Sequence, residues 1–155
     1  VAPSRGLGDV YKRQNIKDCI MKRVLLMFGF MLCWIVGFSQ NRTYQLSSHI
    51  LDIQEGQPAS GVKIVLSQMQ DDGTWKAIEE KWTDTNGRVK DFLEEGGDKH
   101  RGVYKLTYHV APYFEKLKQK TFYPFIEVIF EINDDQHYHV PITLSAYGYS
   151  TYRGN

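Results

Sequence analysis

The sequence predicts an all-β fold, an antiparallel β-sandwich of about eight strands with one short helix. Three observations carry this reading. Short runs rich in β-branched and aromatic residues recur from Tyr44 onward, and ten tyrosines help bring the aromatic content to 14 %, a composition suited to pleated, half-buried surfaces. Turn signals separate the runs at sandwich-like spacing: Gly56-Gln57-Pro58-Ala59, Asp71-Asp72-Gly73, Asp84-Thr85-Asn86-Gly87, Gly96-Gly97-Asp98 and Asn133-Asp134-Asp135. Several runs also alternate in polarity with the period of two that marks a strand with one buried face.

In order, residues 44–53 form a first strand and residues 62–70 a second. Asp71-Asp72-Gly73 is a hairpin signal, and the chain returns over 74–82. Asn86-Gly87 suits a turn with positive φ. Over 102–110, Tyr104, Leu106 and Tyr108 share one face while Lys105, Thr107 and His109 share the other. Alternation breaks over 111–119, which fits a short helix. It is clearest over 126–132, where Ile126, Val128, Phe130 and Ile132 oppose Glu127 and Glu131. Residues 138–144 and 147–152 are the last strands, joined at a tight corner at Ser145-Ala146. The total is seven or eight strands.

A leader precedes them. Met21-Lys22-Arg23 is a basic start, and Val24 to Gly37 is an apolar run of about fourteen residues, short of the ~20 that a transmembrane helix needs. Polar sequence begins at Asn41. This order fits a secretory signal peptide over 21–40, cleaved next to Gln40, and implies a periplasmic or secreted product; a retained membrane anchor is the alternative. Asp9-Val10-Tyr11-Lys12-Arg13-Gln14 reads like a translated frame of a common transposase sequencing adapter, so residues 1–20 are expected to be a non-native leader. The remaining 41–155 make one domain.

Composition narrows the function. A formal net charge of +1 with no basic block argues against nucleic acid as a partner. Both cysteines, Cys19 and Cys33, precede residue 41, so the domain uses neither disulfide nor thiol chemistry.

Candidate chemistry concentrates near the C-terminus. Period two places Tyr138, Val140, Ile142 and Leu144 on a core face, leaving His137, His139, Pro141 and Thr143 opposite. A histidine-bearing face on such a strand is solvent, an interface or a site, and a single surface histidine is usually unremarkable. His49 in the first strand and Arg88 after a turn are, read alone, ordinary surface residues. His137 and His139 in a His-x-His pair, with His49 as a third ligand, could hold zinc. His100 and His109 read as ordinary loop and strand residues.

Four elements taken together are more specific. His137-Tyr138-His139-Val140-Pro141-Ile142-Thr143-Leu144-Ser145-Ala146 followed by Tyr149-Ser150-Thr151-Tyr152-Arg153-Gly154-Asn155 resembles the HYHVPLLLSP and YSTYRGS signature of the 5-hydroxyisourate hydrolase family, which is related to transthyretin. Ala146 stands where that family has proline and Asn155 where it has serine. Leu46 to Asp52 is similar to its LSxHVLD start, Gly56-Gln57-Pro58-Ala59 to its GxPA, and Thr83 to Arg88 to its TxxDGR. The resemblance covers about residues 44–155. It implies a transthyretin-like sandwich, assembled as a homotetramer (a dimer of dimers) with sites at the dimer–dimer interface. It further implies His49, Arg88 and His139 as catalytic residues, Tyr152, Arg153, Gly154 and Asn155 as substrate-binding residues, and a small purine-derived substrate, with no metal and no cofactor. A neutral imidazole can accept a proton from water near pH 7, and the planar guanidinium of Arg88 suits an oxyanion or a purine oxygen. Which histidine is the base stays open, and so does the effect of an amide at position 155. Two rivals are a transthyretin-like binder of a small aromatic ligand and a secreted structural module.

Overall fold

The computed structural model describes residues 43–94 and 96–154; Asn155 and the leader assignments over 1–20 and 21–40 lie outside the described residues. Among these residues nine strands form two sheets: β1 (Tyr44–Asp52), β2 (Gln57–Pro58), β3 (Lys63–Met69), β4 (Trp75–Trp82), β5 (Arg88–Glu94), β6 (Gly102–His109), β7 (Ile126–Ile132), β8 (Tyr138–Ser145) and β9 (Gly148–Thr151). A helix, α1 (Ala111–Lys116), lies between β6 and β7, and a 3-10 turn spans Gly97–His100. The count exceeds the expected eight because the two-residue β2 is a strand of its own. β5 fills the segment between the Asn86-Gly87 turn and the Gly96-Gly97 loop, where no strand was assigned from the sequence.

In the first sheet β1 is central. β2 and β5 share one of its edges, β8 takes the other, and β9 extends the sheet beyond β8. The second sheet runs β4-β3-β6-β7. All pairings are antiparallel except β1–β8, which is parallel. Parallel neighbours need a long connection; here everything from β2 to β7 intervenes, including the whole second sheet.

The core lies between the sheets. On β1, Leu46, Ser48, Ile50 and Asp52 point inward; on β6, Tyr104, Leu106 and Tyr108; on β8, Tyr138, Val140, Ile142 and Leu144, all buried. The alternation expected for β6, β7 and β8 is thus present. One polar link crosses this core. The Tyr108 hydroxyl, from the second sheet, lies 2.9 Å from Ser48 Oγ and donates to the Val140 carbonyl at 3.1 Å. Burial holds that phenol protonated, far above its usual range. The link ties β6 to β1 and β8 directly behind the outward-facing Ser47, His49 and His139.

Helix α1 stops short of the expected residue 119. Pro112 suits its first turn and Phe114 anchors it in the core. Lys118 then takes a positive φ of 57°, and the amides of Lys118 and Gln119 donate back to Glu115 and Phe114, closing the helix end. Asp52 fixes the helix to the sheet. One carboxylate oxygen accepts from the amides of Gln54 and Glu55 and the other from the Tyr113 hydroxyl at 3.0 Å.

Candidate active site

The outer face of the first sheet gathers the polar residues. Strand parity puts Ser47 and His49 on the face of β1 opposite the core. Register then supplies their neighbours: Ser47 lies beside His139 and His49 beside Pro141 across β1–β8, while His49 lies beside Arg88 across β1–β5. Three strands far apart in sequence thus bring His49, Arg88 and His139 together.

Arg88 is placed by the turn before it. Asp84 Oδ1 accepts from the amides of Asn86 and Arg88 at 2.8 and 2.9 Å, and the Gly87 amide donates to the Asp84 carbonyl. The turn is docked on β1 through Ile50 N–H to Gly87 O at 2.9 Å. Gly87 sits at φ +69°, and a Cβ there would fall 2.5 Å from the Ile50 carbonyl oxygen. Only glycine fits, so the first residue of β5 is delivered at a fixed position beside His49.

His139 is held from two sides. Its Nδ1 lies 2.9 Å from Ser47 Oγ, which is also 2.8 Å from His137 Nε2; His137 Nδ1 in turn donates to the Tyr44 carbonyl at 2.9 Å. The tail closes the other side. The Gly154 amide donates to the His139 carbonyl at 2.8 Å, forming an antiparallel bridge outside the named strands.

Ser47, Arg88, His137, His139, Tyr152 and Gly154 line an open cavity of about 420 Å³, within the range of small-molecule sites. The lining is almost wholly polar, which favours a polar ligand over an apolar one. Burial pushes both imidazoles below their ordinary value: His49 by desolvation and then the Arg88 charge, His139 by desolvation, then Arg88, His49 and His137. Both shifts favour the neutral form of the ring.

The remaining tail residues divide. Tyr152 lines the cavity. Arg153 turns along the tail's other side, its guanidinium 4.6 Å from the Tyr138 ring centre and 3.4 Å from Gln136 Oε1, where it borders an adjoining hollow with His137 and Gly154. Asn155 lies outside the described residues. His100 binds the Glu94 carbonyl, and His109 lies near Phe125; neither lines the cavity. Among the described residues no three His, Cys, Asp or Glu side chains are grouped as a metal ion would require.

Sequence reasoning gave Ser47 no role and weighed His137 only as a metal ligand. The signal was available: Ser47 and His49 are two apart on a strand, so a site containing one must present the other.

A family model for the HIUase/transthyretin family matches residues 46–154. The chain belongs to this family. It is similar to 5-hydroxyisourate hydrolase of Salmonella typhimurium, at 47 % identity over 111 residues covering 71 % of this chain and 80 % of that protein. It is also similar to the enzyme of the same name from Deinococcus radiodurans, at 39 % identity covering 71 % and 95 %. Among solved structures, sea bream transthyretin in complex with thyroxine superposes with a TM-score of 0.67 at 28 % identity, covering 71 % of this chain and 94 % of that one. Klebsiella pneumoniae 5-hydroxyisourate hydrolase superposes with a TM-score of 0.61 at 32 % identity, covering 71 % and 98 %.

Proposed function

We propose that this member of the family is an enzyme that hydrolyses 5-hydroxyisourate to 2-oxo-4-hydroxy-4-carboxy-5-ureidoimidazoline, a step of urate breakdown. The observation that carries the proposal is that His139 and the guanidinium of Arg88 line one polar cavity, with His49 beside Arg88 in register and both imidazoles shifted toward their neutral form. The identity to proteins named 5-hydroxyisourate hydrolase supports it.

In the reaction, a histidine takes a proton from water as the water oxygen bonds to the ring carbonyl carbon. Arg88 stabilises the oxyanion that forms. The carbon–nitrogen bond of the ring then breaks, and the proton passes from imidazolium to the departing nitrogen. Every atom of water ends in the product, so no cofactor is needed. Tyr152 and Gly154 line the cavity that would hold the substrate; Arg153 and Asn155 are assigned to substrate binding by the family resemblance.

We assign the working form as a homotetramer. The edges of β7 and β9, unpaired among the described residues, and the polar outer face of the first sheet are suited to closed symmetric pairing, which would convert the open cavity into a channel between dimers. The leader over 21–40 directs the domain to the periplasm or outside the cell; N-terminal sequencing of the exported protein would find a start next to Gln40.

Adding the domain from Asn41 onward to freshly oxidised urate, and following the ultraviolet decay of 5-hydroxyisourate, tests the activity. Decay well above the spontaneous rate is expected. An unchanged rate with a folded protein would favour a second reading, a small-ligand binder without catalysis, which the likeness to thyroxine-bound transthyretin supports.

A further inference from the structure

We propose that Ser47 and His137 are positioning residues that fix the proton of His139 on Nδ1 and so leave Nε2 as the basic atom of the site. The inference rests on the hydrolase reading and deepens it, by choosing between the two histidines and naming the atom.

Four hydrogen-bonded groups in a row fix where each proton sits. The Tyr44 carbonyl can only accept, so His137 Nδ1, 2.9 Å away, carries the hydrogen. In neutral His137 the other nitrogen, Nε2, is then a bare acceptor. Its partner at 2.8 Å is Ser47 Oγ, which must donate. A hydroxyl has one hydrogen, and Ser47 has now used it. Its other contact, His139 Nδ1 at 2.9 Å, must therefore be a donor. His139 holds its single proton on Nδ1, and the lone pair of Nε2 is free.

The arrangement is anchored at its centre. Ser47 is buried, and its register partner on β8 is His139 itself. The Tyr44 carbonyl belongs to the same strand as Ser47. The Arg88 guanidinium on β5 and the His49 ring on β1 act on His139 through space, both favouring its neutral form. Arg153, from the tail, borders the hollow beside His137. No group of the chain other than Ser47 is hydrogen-bonded to the His139 ring among the described residues, so the tautomer is set at Ser47. A base whose wrong nitrogen carries the proton is present but idle; a neighbour that fixes the tautomer therefore matters for catalysis without touching substrate.

The test reads the tautomer directly. The 15N-labelled domain from Asn41 onward is examined at about pH 8, where imidazoles are neutral, by long-range proton–nitrogen spectra of its histidine rings, with His139 assigned by the signals lost in His139→Gln. We expect Nδ1–H in the unsubstituted protein. Ser47→Ala should move the proton to Nε2 and lower kcat by about 10- to 100-fold, the usual effect of losing a residue that orients a working imidazole, with KM changed little. Ser47→Thr, which restores the hydroxyl, should recover both tautomer and kcat. Nε2–H in the unsubstituted protein would overturn the proposal, and so would a Ser47→Ala protein with unaltered tautomer and kcat. If Ser47→Ala does not fold, the unsubstituted spectrum still decides. Absence of hydrolysis by the unsubstituted protein would sink the hydrolase reading, while the spectrum would judge the relay separately.

Discussion

Gly154 lies flat against the ring of His139. Its amide donates to the His139 carbonyl at 2.8 Å, and a Cβ on it would meet His139 Cδ2 at 2.5 Å and Cγ at 3.2 Å. The tail is thereby part of the surface that holds the imidazole in place, and a glycine is required because no side chain fits between backbone and ring. Gly154→Ala should push the ring aside. A displacement of about 1 Å at a reacting group costs on the order of 100-fold, so kcat/KM is expected to fall by about that much. The melting temperature should hardly move, because a change in a terminal segment outside the core alters stability by only about 0.5 kcal/mol. Steady-state kinetics and thermal melting on the same protein separate the two effects; unchanged kinetics would mean the tail has no hold on His139.

The three convergent residues should fail differently from a histidine elsewhere. His139→Ala removes an imidazole from the cavity and His49→Ala removes one beside Arg88, and losses of about 100- to 10,000-fold in kcat are expected for a proton-transfer group. Arg88→Ala removes a cation from the cavity lining, and the proposed role in stabilising the oxyanion predicts a loss of about 100- to 1,000-fold. His100→Ala breaks only a bond to the Glu94 carbonyl away from the cavity and should keep full turnover. The check is decay of 5-hydroxyisourate by each protein at equal concentration and equal assembly state. A fully active His139→Ala protein would remove the central assignment.

Acid should affect activity and stability in the same direction. Burial first, and then the Arg88 charge, lower both His49 and His139 below the ordinary imidazole value of 6.5. As pH falls, the unfolded chain takes up protons on these rings before the folded one does. Folding stability is therefore fully present above about pH 6.5 and declines as pH drops from there through the lowered folded values. On the proposed mechanism, in which the neutral rings act as bases, the acid limb of log kcat/KM should lie below 6.5. A pH–rate profile with its limb above 6.5 would contradict this. In Arg88→Met the limb should move up towards 6.5, because a cause of the depression is gone.

The sandwich was legible because its core strands announce themselves locally. Tyr104, Leu106 and Tyr108 alternate with polar residues, and Ile126, Val128, Phe130 and Ile132 alternate with Glu127, the exposed Ile129 and Glu131; the inward faces fall as expected. β5 was less visible because its pattern is broken by a bulge opposite Leu46 to Ser48 and by Leu93 at φ 54°, so its buried residues, Val89, Phe92 and Leu93, do not keep period two. The parallel pairing of β1 with β8 was not legible at all, because it joins segments some ninety residues apart, as the separation of Ser47 from His139 shows. That pairing places Ser47 next to His139, so the relay was hidden with it. His49, Arg88 and His139 were named through family resemblance. Read alone, a histidine in a strand and an arginine after a turn are ordinary surface residues, and only tertiary register distinguishes them from His109 or Arg101.

The turn that delivers Arg88 offers the sharpest separation of strain from function. Gly87 and Gly73 both take positive φ, +69° and +80°. A non-glycine residue in that region costs about 1–3 kcal/mol, so Gly87→Ala and Gly73→Ala should both lower stability. They differ in surroundings. A Cβ at Gly73 meets nothing within 4 Å, whereas one at Gly87 meets the Ile50 carbonyl oxygen at 2.5 Å and the Ala59 nitrogen at 3.1 Å. Relief of that clash must lift the turn off β1, break the bond from Ile50 N–H to Gly87 O, and carry Arg88 away from His49. Gly87→Ala should therefore lose more stability than Gly73→Ala and also lose about 10-fold or more in kcat/KM, while Gly73→Ala keeps its kinetics. Asp84→Ala, which deletes the carboxylate that accepts from the Asn86 and Arg88 amides, should fall between them, with a loss of about 1–2 kcal/mol and a raised KM. Melting curves and kinetics on the three proteins decide the matter. If Gly87→Ala melts early but turns over normally, the position of Arg88 is not set by this turn.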